Sequence, residues 1–127
     1  MTPFLIAVGG ALGSVGRWWL SQALALAFGP AFPWGTLFVN VSGSFVIGCA
    51  AGGSWHQTRL IESATVRDFL MVGVCGGYTT FSAFSLQTLS MLQAGDVGRA
   101  GLNVAASVGV CLLAAWAGYV LAATLSR

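Results

Sequence analysis

The stretch Gly73-Val74-Cys75-Gly76-Gly77-Tyr78-Thr79-Thr80-Phe81-Ser82-Ala83-Phe84-Ser85 decides how this chain is read. It lies in the middle of an apolar run from about 69 to 92, long enough to cross a bilayer core, which takes roughly 20 apolar residues. Yet paired glycines followed by paired threonines disfavour a regular helix. A helix broken at membrane depth releases backbone carbonyls, tolerated only where something satisfies them. A monovalent cation can do that, as in transporters with unwound helices. The half-helix that restarts beyond a break presents the positive end of its dipole to an anion.

Three further apolar runs flank this one, at about 4–28, 35–53 and 100–125. Four spans use most of the 127 residues, so the expectation is one all-α membrane domain of four transmembrane helices, the third broken. Composition agrees. The chain is 57% hydrophobic and 6% charged, whereas soluble domains carry about 25% charged residues. The start is read as the first span rather than a cleaved signal, because no basic residue precedes it. A net charge of +2 gives no argument for nucleic acid.

The charges cluster outside the spans. Arg59, Glu62, Arg67 and Asp68 fall in the loop of about 54–68, where a short interfacial helix is possible. Asp96 and Arg99 border the turn 93–98, and Arg127 ends the chain. With four spans, Arg59, Arg67 and Arg127 share one side and Arg99 stands on the other. The positive-inside rule then favours cytoplasmic termini by two residues. So small a bias permits both orientations. The first loop, Gly29-Pro30-Ala31-Phe32-Pro33-Trp34, is a proline-fixed turn with an aromatic at headgroup level.

Small residues recur every fourth position: Gly9 and Gly13, Gly48 and Gly52, Gly73 and Gly77, and Gly101, Ala105 and Gly109. In lipid such residues let backbones approach. The spacing argues for close packing without separating packing inside the chain from assembly between chains. Gly9 to Gly16 imitates a dinucleotide loop, but the strand that motif needs is not available in an apolar helix. Asn40-Val41-Ser42 matches a glycosylation sequon at mid-span. Cys49, Cys75 and Cys111 lie far apart inside spans and read as small packing residues.

Four groups carry candidate chemistry. Arg17, followed by Trp18 and Trp19, is an arginine at mid-span, costing about 2.5–3.5 kcal/mol on insertion scales. It is either an anion-attracting charge in a vestibule or a structural donor to carbonyls at a helix end. Thr36, Asn40 and Ser44, at i, i+4, i+8, make one polar stripe, and Asn40 faces either a pore or an interhelical hydrogen bond. Phe81 and Phe84 share a face, and such a pair is either lipid-facing or core packing, or else a pair of ring edges for a small anion. Their ring edges are weakly positive, and the hydroxyls of Thr79, Thr80, Ser82 and Ser85 surround them. Asn103, Ser107 and Cys111 form a weaker stripe in the fourth span.

These residues resemble the Fluc/CrcB family of fluoride channels. The likeness rests on Gly13-x-x-x-Arg17-Trp18, on Gly35-Thr36-Leu37-Phe38-Val39-Asn40-Val41-Ser42-Gly43-Ser44-Phe45, and above all on Gly73-x-Cys75-Gly76-Gly77-Tyr78-Thr79-Thr80-Phe81-Ser82-Ala83-Phe84. It implies a dual-topology antiparallel homodimer in the cytoplasmic (inner) membrane, exporting fluoride passively. It implies Phe81, Phe84 and Asn40 in the pore, Ser107 on a polar track with Thr80 and Ser82 as further members, and Arg17 near a vestibule. It also implies a structural sodium ion on the backbone carbonyls of Gly76 and Thr79 from both subunits. Two positions depart from the family. Ala83 stands where threonine or serine is frequent, and Asn103 where many members carry tyrosine.

Other classes fit less well. A proton-coupled multidrug exporter needs a membrane-embedded acid, and Glu62, Asp68 and Asp96 lie at loops or span ends. An intramembrane enzyme needs paired catalytic groups, but the sole histidine, His56, is in a loop. A non-transporting assembly subunit leaves the broken helix without a purpose.

Overall fold

The structure is a computed structural model that describes residues 1–53 and 63–126. His56, Arg59, Glu62 and Arg127 lie outside the described residues, as does most of the second loop. Among the described residues there is no strand.

Helix α1 runs Thr2–Phe28, with Pro3 in its first turn, where a missing N–H costs nothing. It stops at Gly29, whose φ of 81° is a backbone state suited to glycine, and whose N–H returns to the Ala25 carbonyl. The turn that follows is packed by aromatics: the Phe32 and Trp34 rings lie 4.8 Å apart and Phe28 reaches Trp34 at 6.0 Å. Helix α2, Trp34–Gly52, begins directly after Pro33.

The third long helix is a composite. It starts as α3, Ala64–Asp68, widens into a π-helical segment at Phe69–Cys75, and closes with the short α4, Gly76–Tyr78. Residues 64–68, expected in the second loop, are thus its first turn. The backbone is extended at Thr79 and Thr80, then restarts as α5, Phe81–Gln93. The expected break is present, but it falls on the threonines. Gly76 and Gly77 remain helical.

Gly73 and Gly77 instead admit α1. A side chain on Gly77 would strike the Gly10 backbone, and one on Gly9 would meet Phe69 O at 2.8 Å. Gly48 and Gly52 play the same part between α2 and α6, where Cβ atoms would run into the backbone of Ala115 and Tyr119. These spaced pairs therefore serve packing within the chain, whereas Gly101 and Gly109 face nothing within 4 Å.

Helix α6, Val97–Leu125, follows a tight turn in which Gly95 has a φ of 78°. Asp96 caps it by accepting from Arg99 N at 3.1 Å, and the two side chains pair at 3.3 Å. Trp34–Gly52, the composite Ala64–Gln93 and Val97–Leu125 are three helices long and apolar enough to cross a membrane. Helix α1 has 27 residues, about 40 Å at 1.5 Å per residue, but Arg17, Gln22 and its glycines make it less apolar. Outward residues such as Leu26, Leu112 and Trp116 are exposed, and the interior holds little more than Val39, Phe84, Ala100 and a few polar groups. An apolar exterior around a partly polar interior suits a lipid solvent.

Candidate functional site

Breaking a helix strands the carbonyls and N–H groups that its next turn would have used. The chain answers with side chains from two neighbouring helices. Ser14 Oγ on α1 donates to Gly77 O at 3.4 Å, and Arg17 Nη1 donates to Thr79 O at 3.4 Å. Asn40 on α2 engages Thr80 twice. Its Nδ2 donates to Thr80 O at 3.0 Å, and its Oδ1 accepts from Thr80 N at 2.8 Å. In an unbroken helix Thr80 N would have reached the Gly76 carbonyl, so this bond releases that oxygen.

The restart of α5 is capped from within. Thr80 Oγ1 accepts from Ala83 N at 3.2 Å and pairs with Ser82 Oγ at 3.1 Å. The α5 N-terminus, with its partial positive charge, therefore opens at the break. Gly43 lies against the Thr79 methyl and the Tyr78 ring, and Tyr78 Oη pairs with Ser42 Oγ at 2.9 Å.

A groove of about 340 Å³ runs beside this restart. Its walls are Asn40, Ser44 and Ile47 of α2, Thr79, Thr80, Phe81 and Phe84 at the break, and Ser107, Val108, Cys111 and Leu112 of α6. The Phe81 and Phe84 rings are tilted by 52° with centroids 5.2 Å apart. Phe84 is buried, while Phe81 is 75% exposed in the single chain. The structure therefore brings together Asn40, Thr80, Phe81, Phe84 and Ser107 from the expected set. Ser82 is exposed and touches the groove through Thr80. Arg17 is not among the groove residues: it donates to Thr79 O from α1, which is the structural reading of this arginine.

The sequence reading did not single out three contributors. Ser14 donates into the break from α1. Thr88 joins α5 to Asn103 of α6 at 2.9 Å. Gln87 holds a buried Oε1 without a partner beside a second hollow at the first-loop end. Hydroxyls at helical spacing along 80–90 were the available signal, but their partners are set by packing.

The profile of the family described as CrcB-like protein, Camphor Resistance (CrcB), matches residues 4–119. The chain belongs to the CrcB family. A CrcB relative from Opitutus terrae, named fluoride-specific ion channel FluC, is 55% identical over 121 residues, 95% of this chain and 92% of its own length. Proteins of the same name from Rhodospirillum rubrum and Paramagnetospirillum magneticum are 51% and 49% identical over 127 residues, covering 100% of this chain and 98% and 99% of their own. These CrcB relatives are named as ion channels, not enzymes. With three membrane-length apolar helices, the chain is a multi-pass membrane protein of that family.

Proposed function

We propose that this chain is the subunit of a fluoride-selective channel that passively exports fluoride across the cytoplasmic (inner) membrane and so limits its toxicity. The observation that carries this reading is the groove beside the broken helix. Weakly polar groups line it: the rings of Phe81 and Phe84, whose edges are weakly positive, the Thr80 hydroxyl, the Ser107 oxygen, and the N-terminal end of α5. Fluoride is small and strongly hydrated. A path must replace its water in steps and still let it go. Groups without full charge meet both demands. Arg17 is held on Thr79 O, so its charge contributes to the field around the break without sitting in the groove as a trap.

The names of the relatives support fluoride as the ion. In this reading the whole chain is one domain, and α1 serves as the fourth span. Within the bundle its Arg17 and Ser14 find protein partners, which lowers the cost of carrying them into the membrane. The working unit is an antiparallel homodimer of dual topology. Phe81, 75% exposed in one chain, is free for a second copy to complete the wall around it.

A structural sodium ion belongs to the same proposal. The break suits one by its chemistry, because hard cations take oxygen ligands and unwound backbone supplies them. The Gly76 carbonyl is released by the bond between Thr80 N and Asn40, and the Thr79 carbonyl keeps a lone pair beside its long contact with Arg17. Two such carbonyls from each of two copies make up the set. When bound, sodium supplies fixed positive charge where the two breaks meet. Arg17 holds Thr79 O, and Ser14 and Asn40 hold the neighbouring Gly77 and Thr80 backbone groups.

Purified protein in liposomes tests the function. With a potassium ionophore carrying the counter-ion, fast release of fluoride and none of chloride is expected. Release of neither from folded protein overturns the channel reading. Equal release of both overturns the selectivity.

A further inference from the structure

Asn103 on α6 is 1% exposed and is not a wall of the groove. A buried amide is costly unless it is hydrogen-bonded, so its partners are informative. Its Nδ2 donates to Thr88 Oγ1 at 2.9 Å. Thr88 Oγ1 in turn donates to Phe84 O at 2.8 Å. On the other side Ser107 Oγ donates to Asn103 Oδ1 at 3.5 Å. A continuous line therefore runs from Ser107 through Asn103 and Thr88 to Phe84. Its two ends line the groove, one on α6 and one on α5, while Asn103 and Thr88 in its middle do not.

We infer that Asn103 and Thr88 are a positioning pair that fixes the gap between Phe84 and Ser107, and with it the discrimination between a small anion and a larger one. The inference rests on the channel reading above. The physical case is one of stiffness. Helices α5 and α6 are joined by a short turn, and one interhelical hydrogen bond sits one turn beyond the groove on each helix. Phe84 to Thr88 and Asn103 to Ser107 are both steps of four residues, so each partner lies directly above or below a wall residue on the same face. Without the bond, the Phe84 ring and the Ser107 hydroxyl are no longer held at a set distance. A path whose donors must replace water stepwise is sensitive to such a shift.

The test uses liposomes with fluoride and chloride electrodes read together. The unmodified protein is measured first, and absence of fluoride release there would sink the channel reading without bearing on the pair. Given release, Thr88→Val and Asn103→Leu are each expected to slow fluoride about tenfold, the scale of one lost buried hydrogen bond. Each should also lower the ratio of fluoride to chloride release. The double variant should be no worse than the poorer single one, because both break the same link. Thr88→Ser keeps the hydroxyl and should restore the unmodified rate and ratio, which a general loss of stability would not do. If Asn103→Leu does not yield monodisperse protein, Thr88→Val against Thr88→Ser decides alone. An unchanged rate and ratio in Thr88→Val overturns the pair. So do losses that multiply in the double variant, which would mean that Asn103 meets the anion independently of Thr88.

Discussion

Asn40 grips Thr80 at both of its backbone groups, giving a hydrogen bond to the carbonyl at 3.0 Å and taking one from the N–H at 2.8 Å. The amide thus stands in for the two helical bonds that the break removes. An asparagine matches this task because it carries one donor and one acceptor side by side. Its hydrogen-bonding capacity toward the groove is correspondingly reduced. In the channel reading, Asn40 acts first by holding Thr80, and Thr80 Oγ1 by capping α5.

Substitution separates these roles. Asn40→Leu removes both bonds and leaves two buried backbone groups unpaired, a loss of about 1–3 kcal/mol for each. We expect a lower thermal midpoint in detergent and at least a tenfold slower fluoride release, the change that about 1.4 kcal/mol in the barrier brings. Asn40→Asp keeps the acceptor for Thr80 N but turns an oxygen toward Thr80 O. It should therefore reduce flux as far as leucine does, despite its polar side chain. Flux near the unmodified rate in Asn40→Asp would show that the donor half of the grip is dispensable.

Phe81 and Phe84 differ in burial, and this sets different expectations. Phe81→Ile keeps bulk but removes the ring edge from an exposed position. It should stop fluoride release while the protein elutes and melts as before. Phe84 is buried, so Phe84→Ile should slow release and also lower stability, by about 1 kcal/mol for a core swap of similar size. Undiminished release in Phe81→Ile would remove the ring-edge mechanism. The comparison needs only efflux and thermal scans on the same preparations.

The fold was legible where the physics is local, and less so where it depends on distant partners. Apolar runs located the long helices, and the glycine–threonine cluster located the break to within a few residues. Composition could not show that Gly76 and Gly77 stay helical, because the role of Gly77 is set by Gly10 of α1, over 60 positions away in the chain. Nor could it choose between the two readings of Arg17. The guanidinium goes to Thr79 O, a pairing that only the fold brings about. The groove residues Phe81 and Phe84 were visible through their spacing and surrounding hydroxyls. Thr88 was not, because its significance comes from a buried partner on another helix.

The glycine contacts make a prediction about assembly of the single chain. In Gly77→Ala the new methyl would lie 2.9 Å from Gly10 Cα and 3.0 Å from its carbonyl carbon. Both are backbone atoms, so α1 must move away, at a cost of about 1–3 kcal/mol for overpacking. That displacement also draws Ser14 and Arg17 off the break. Gly98→Ala is the matched control, because nothing lies within 4 Å of that position. It should be neutral or slightly stabilising, by up to about 1 kcal/mol. Equal thermal midpoints for the two variants would contradict the close approach of α1 to the third helix.

Cys111 offers a way to ask whether the groove carries the ions. It lies one turn beyond Ser107 and lines the groove with Phe81 and Phe84, whereas Cys49 and Cys75 do not. A protein retaining Cys111 alone, with Cys49→Ala and Cys75→Ala, should release fluoride at close to the unmodified rate. Methyl methanethiosulfonate then adds a small uncharged group to the thiol inside the groove. Release should fall about tenfold or more, because a path narrow enough to strip water leaves no room for it. A reducing agent removes the group and should restore the rate. The same treatment should leave Cys111→Ser unaffected. Mass spectrometry supplies the extent of labelling, so full modification of Cys111 with full release would place the ion path elsewhere in the bundle.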